Sequence, residues 1–169
     1  MINYKISKQA MILFVGINPH FGSYENGVPF SNNKTLWYLL SDSGLIKEGR
    51  EFLKDDKNLK KTYRNIIKKY NMNFINIIDR PSTNVSSLRT GEESKGVERL
   101  LKIIKKQKPR VVCFIGKITF VKFNGNKNVE FGSQIDLYNS HIYVMHFPLR
   151  GYADLRIKEL KEVKKLARM

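Results

Sequence analysis

The chain has 169 residues, with 31 Lys or Arg against 15 Asp or Glu and a formal net charge of +16. That length suits one domain over residues 1–169, and a hydrophobic fraction of 41% with ten Phe and eight Tyr excludes a disordered chain. No apolar run approaches the ~20 residues of a membrane span, the N-terminus lacks a signal-peptide apolar region, and a lone Cys113 excludes an internal disulfide.

In chain order, Met11-Ile-Leu-Phe-Val-Gly16 reads as a strand buried on both faces that stops at Gly16, Asn18 and Pro19. Thr35 to Ser43 reads as an amphipathic helix through Leu36, Trp37, Leu39 and Leu40, and Asn58 to Tyr70 as another. A second strand, Asn73 to Ile78, is followed by a helix from Ser94 to Lys106, which Pro109 stops before a third strand, Arg110 to Ile115. The turn-rich stretch from Phe123 to Asp136 reads as a surface hairpin or loop. Ser140 to Met145 reads as the fourth strand and Asp154 to Ala167 as the closing helix. Strands alternating with helices predict an α/β fold, a three-layer α/β/α sandwich around a mainly parallel four-stranded sheet.

Ligands bind beyond the carboxyl ends of the strands in such a sheet. The residues expected there are Asn18, His20 and Ser23 after the first strand, and Asn76 and Asp79 to Thr83 at the second. Gly116 and Lys117 follow the third, and His146, Arg150, Gly151 and Tyr152 the fourth. Asn76 stands out, because an amide in a Phe-Ile/Ile-Ile strand costs about 1–3 kcal/mol if left unpaired. Phe30, in the loop after Asn18, adds a ring that could hold the face of a flat heterocycle. Three histidines without ligand spacing speak against a metal, and the absence of a Walker loop or strand-linked glycine fingerprint speaks against nucleotide cofactors. No metal and no cofactor are therefore expected. The basic charge draws polyanions, nucleic acid foremost.

Six ordered blocks carry a family resemblance. They are Gly16-Ile-Asn-Pro19, Gly27-Val-Pro-Phe-Ser31, Leu36-Trp37 with Ser43-Gly-Leu45, Phe74 to Pro81, Lys108 to Val112, and Ile115-Gly-Lys117. Together they resemble the mismatch-specific uracil/thymine-DNA glycosylases, within the uracil-DNA glycosylase superfamily. The resemblance implies a metal-free enzyme that flips a pyrimidine from mispaired duplex DNA and hydrolyses its N-glycosidic bond in base excision repair. By the same resemblance Asn18 positions water, Phe30 stacks on the base, Asn76 reads the base edge and Ser82 contacts substrate. Backbone N–H groups around Ile17 to Phe21 and at 30–31, with the amide of Asn76, are expected to hold the departing anion.

Two departures bear on that reading. His20 stands where the family has Gly, and the loop His146-Phe-Pro-Leu-Arg-Gly-Tyr-Ala153 lacks the family's small hydroxyls. His20, His146, Arg150, Gly151 and Tyr152 are the expected DNA-binding or wedge residues, with Arg150 or Tyr152 filling the base gap. The expected partner is double-stranded DNA with a mispaired or damaged pyrimidine, and no membrane. A monomer is expected, intracellular and not secreted, cytoplasmic (nucleoid-associated) or nuclear. Two alternatives stay open, a catalytically silent lesion- or nucleic-acid-binding member and an enzyme of free nucleobases or nucleosides.

Overall fold

The computed structural model describes residues 1–149 and 151–169. The first apolar run forms β1 (Ile12–Gly16), followed by the helices α1 (Phe21–Asn26), α2 (Thr35–Asp42), α3 (Arg50–Leu53), α4 (Asp56–Arg64) and α5 (Ile66–Tyr70). Next come β2 (Met72–Asn76), α6 (Ser94–Gln107), β3 (Val111–Ile115), α7 (Lys117–Asn124), β4 (Gly132–Ser133), β5 (His141–Met145) and α8 (Ala153–Arg168).

The sheet has five strands rather than the four expected, in the order β2-β1-β3-β5-β4. β2, β1, β3 and β5 run parallel, and the two-residue β4 joins β5 antiparallel. This extra strand falls inside the turn-rich stretch and gives it the hairpin form, closed by the Leu137–Ser140 bridge. The segment read as one helix over 58–70 is two, parted at Asn65, whose side chain donates to the Lys61 carbonyl at 2.9 Å. Local side-chain bonding of this kind competes with the helical ladder.

Alternating residues of each central strand serve two cores, as a sheet covered on both faces requires. Ile12 and Phe14 of β1 join Trp37, Phe74 and the α8 residues Leu160 and Val163, while Leu13 and Val15 join Leu100, Ile104 and Phe114 on the other face. Cys113 is buried in the first of these cores, and burial pushes its thiol pKa up. Among the described residues no helix is long and apolar enough to cross a membrane.

The strand order reverses direction at β1, whose chain successors lie on either side of it. A crevice therefore opens at its carboxyl end. Helix α6 fixes the neighbouring end of β2. Arg99 donates to the carbonyls of Asn76 (2.9 Å) and Ile77 (3.3 Å) and also engages Asp79. Gly96 of the same helix lies so close that an added Cβ would stand 1.7 Å from the Ile77 carbonyl oxygen. Gly96→Ala should therefore force α6 off the end of β2 and destabilise the protein by roughly 1–3 kcal/mol, read as a lower urea midpoint at unchanged slope.

Candidate active site

Past the sheet edge, the chains leaving β1 and β2 stay zipped together. Ile77 N–H donates to the Gly16 carbonyl (2.9 Å), Ile78 N–H to Ile17 (2.8 Å) and Ser82 N–H to Pro19 (3.0 Å). The two loops thus carry Asn18, Asn76 and Ser82 as one unit. A cavity of about 330 Å³ opens beside them, and Ile17, Asn18, His20, Phe30, Asn76 and Ser82 all line it.

Asn18 is held by three acceptors. Its Nδ2 donates to Ser82 Oγ at 2.7 Å and to the carbonyls of Pro19 (3.3 Å) and Arg80 (3.4 Å). Ser82 gives its own hydroxyl proton to the Asn84 carbonyl at 2.8 Å, so Oγ has only lone pairs to offer Asn18. All three partners demand a donor, which settles the amide's orientation. The Asn18 oxygen, an acceptor, is the end left for the cavity. Ser82 is 6% exposed, and its hydroxyl serves Asn18 and Asn84 in addition to lining the cavity.

Phe30 adopts φ +56°, a left-handed conformation that a bulky residue holds only where its surroundings impose it. Here the flanking residues are pinned. The Trp37 indole donates to the Pro29 carbonyl at 2.8 Å from within the core, and Ser31 Oγ donates to the Val28 carbonyl at 2.8 Å. The ring then leans on Phe74 of β2, centroids 6.4 Å apart. Asn76 reaches the same spot from the neighbouring strand. Gly16 makes this possible, since a Cβ there would stand 2.3 Å from Asn76 Oδ1 and 2.5 Å from Phe30 Cζ.

Asn76 is 2% exposed, and its Nδ2 meets the Tyr4 hydroxyl at 2.5 Å. His20 caps α1, its Nδ1 accepting from Gly22 N–H at 3.1 Å, so a neutral ring carries its proton on Nε2. Among the described residues lining the cavity there is no Lys, Arg, Asp or Glu. The remaining wall mixes apolar residues such as Leu36, Val85 and Pro148 with the neutral polar residues Ser23, Asn32, Asn33, Thr83 and Asn84.

The loop after β5 divides in two. Phe147, Pro148 and Leu149 line the cavity, with Phe147 46% and Leu149 56% exposed. His146, Gly151 and Tyr152 lie outside that lining. His146 turns to buried Glu159 of α8, with Nδ1 2.6 Å from Oε1, and stacks on Phe131. Gly151 sits at φ +95° beside the Arg156 guanidinium, and Tyr152 is 85% exposed at the start of α8. Arg150, expected as a wedge, lies outside the described residues.

Sequence reasoning missed Leu149, whose signal was an apolar residue stranded in a Pro/Gly-bounded loop. It also missed Tyr4, which carries no local signal because its partner is 72 residues away. A cavity of neutral amides, one aromatic face and a basic exterior, built on a parallel sheet, matches the chemistry of a family that acts on DNA. A family model described as the uracil DNA glycosylase superfamily matches residues 4–158. Spanning both loops, the buried amides and the start of α8, that match places the chain in the uracil DNA glycosylase superfamily, and with it supports a uracil-DNA glycosylase type of function.

Proposed function

We propose that the protein is a monofunctional DNA glycosylase of the mismatch-specific type, hydrolysing the N-glycosidic bond of a flipped-out uracil, thymine or modified pyrimidine in mispaired duplex DNA. The observation that carries this reading is the convergence of Asn18, Phe30 and Asn76 on one cavity whose described lining holds no charged group. Flipping costs a few kcal/mol of stacking, least at a mispair, and stacking on an aromatic ring returns about 1–3 kcal/mol. Phe30 supplies that ring.

As the bond to the sugar breaks, the base leaves with the electron pair as an anion and the sugar becomes cationic. Asn18 Oδ1 accepts a hydrogen bond from water and aims the water's lone pair at the sugar. A neutral amide takes no proton, so as the water oxygen bonds to the sugar carbon its proton passes to the departed pyrimidine anion, and the reaction depends on the quality of the leaving group. The second N–H of Asn76 and the Nε2–H of His20 are donors for the developing anion. Without a lysine amine in the described lining, the attack falls to water and no covalent imine forms.

Leu149, with Phe147 behind it, is suited to enter the base stack that the flipped nucleotide vacates, as apolar wedges do. The net charge of +16 holds the duplex through phosphate contacts. A second reading, a silent lesion binder, draws on the commitment of His146 to Glu159, which keeps that ring out of the cavity lining.

Release of free base from G·U and G·T duplexes tests the proposal, with Asn18→Ala slowing single-turnover release about 100-fold at little change in duplex affinity. Tight, salt-dependent binding to the mispair without base release would favour the silent member instead. Gly16→Ala should leave the strand intact, since its backbone suits any residue, yet push Phe30 and Asn76 apart. Its effect on release should match that of losing either side chain, with a lowered urea midpoint because Phe30 and Asn76 are both held in place. Leu149→Ala should slow release from a stacked G·U pair about tenfold but leave release from single-stranded DNA unchanged, as a kinetic comparison of the two substrates will report.

A further inference from the structure

We infer that Tyr4 is a specificity-determining positioning residue. Its phenol holds the Asn76 amide with Oδ1 turned to the cavity, so that the site selects bases presenting a ring N–H. This deepens, and rests on, the glycosylase reading.

The amide oxygen is the first observation. Asn76 Oδ1 is buried and has no hydrogen-bond partner among the described residues. Buried acceptors are nearly always paired, so one left over at a cavity wall is a group for a ligand to satisfy. Its place is marked by Gly16, over which Oδ1 lies beside the Phe30 ring edge. A base stacked on Phe30 would bring its edge to that oxygen. Uracil and thymine present N3–H there, whereas cytosine presents an unprotonated N3 whose lone pair an acceptor repels. A site built to take a donor rejects analogues lacking it, because the buried oxygen is left unpaired.

The second observation explains why the amide faces this way. Tyr4 Oη touches Nδ2 at 2.5 Å. A phenol can give or take a hydrogen bond, and its surroundings choose between the two. Behind Tyr4 lies a separate cavity of about 340 Å³ that Asp79 and Arg99 also line. Burial foremost, and the Asp79 charge besides, push the phenol pKa up, so the hydroxyl keeps its proton. In the structure Asn76 Nδ2 is the donor and Tyr4 Oη the acceptor, while the Asp79 carboxylate is held by Arg99 at 2.5 and 3.1 Å. The lone pairs of Tyr4 are then left for Nδ2, and Oδ1 is left for the base. The second N–H of Nδ2 remains for the neighbouring carbonyl oxygen of the pyrimidine.

A double-mutant cycle of Tyr4→Phe and Asn76→Ala tests this. It is read by single-turnover uracil release from a G·U duplex and by affinity for a duplex carrying cleavage-resistant 2′-fluoro-2′-deoxyuridine, relative to an undamaged G·C duplex. With Asn76 present, Tyr4→Phe should reduce release and the uracil preference about tenfold; in the Asn76→Ala background it should change neither. Equal losses in both backgrounds would make Tyr4 a fold-supporting residue and overturn the inference. A uracil preference that survives Tyr4→Phe overturns the inference alone. No preference in the unaltered protein overturns the glycosylase reading and this inference together.

Discussion

The missing side chain at Gly16 is the constraint from which the site is built. At the last position of β1, any Cβ would occupy the space where the Phe30 ring and the Asn76 amide meet. Those two groups come from different directions, Phe30 from a loop anchored by Trp37 and Asn76 from the adjacent strand. Each is expensive to place. Phe30 holds a left-handed backbone, and Asn76 is an amide in an apolar strand. Sheet register supplies the restraint, since Gly16 and Asn76 are direct partners across the β1–β2 pair. Main-chain pairing thus converts one small residue into a fixed separation between a ring and a polar edge.

Neutral groups in the described lining suit the chemistry proposed for it. A carboxylate beside the departing pyrimidine would oppose the charge that develops there, and an ammonium would invite covalent attack on the sugar. Amides do neither, and their value depends on which end faces the cavity. The two asparagines solve this differently. Asn18 is oriented by acceptors alone, two backbone carbonyls and a hydroxyl whose proton is already given to Asn84. Asn76 is oriented by a phenol oxygen that accepts from its Nδ2. In both, a hydroxyl oxygen accepts from the amide nitrogen and so turns the amide oxygen the other way. Lysines and arginines stay outside the described lining.

Legibility in the sequence followed the range of the interaction. The parallel strands were readable because each is a short apolar run with turn residues at its ends, and burial on both faces leaves no alternation to mislead. β4 was not, since Gly132 and Ser133 have no apolar period and pair only because β5 offers them an edge. The break at Asn65 interrupts a pattern of Leu59, Tyr63, Ile66 and Ile67 that is periodic across it, so hydrophobic spacing alone reads one helix. At the site, Asn18, Phe30 and Asn76 could be placed together because strand ends in a parallel sheet converge on one edge. The partners of Asn76 could not be found this way. Tyr4 precedes β1 in a stretch without motif or period, and only tertiary packing brings its hydroxyl to the amide.

Helix α8 settles how the loop after β5 keeps its shape. Glu159 and Arg156 are both nearly buried, which costs several kcal/mol per charge unless each is well paired. Both are spent on that loop. Glu159 takes the His146 main-chain N–H at 3.0 Å and the imidazole at 2.6 Å, and Arg156 donates to the carbonyls of Phe147 (2.8 Å) and Tyr152 (3.1 Å). These bonds tie the loop at residues on both sides of Leu149. Phe147 and Leu149 can therefore stay exposed at the cavity rather than collapse onto the core. In the proposed wedge role an apolar side chain has to be held out in water beforehand, and backbone anchors do this where side-chain packing cannot. The same anchoring explains why His146 is absent from the cavity lining: its ring is part of the clamp.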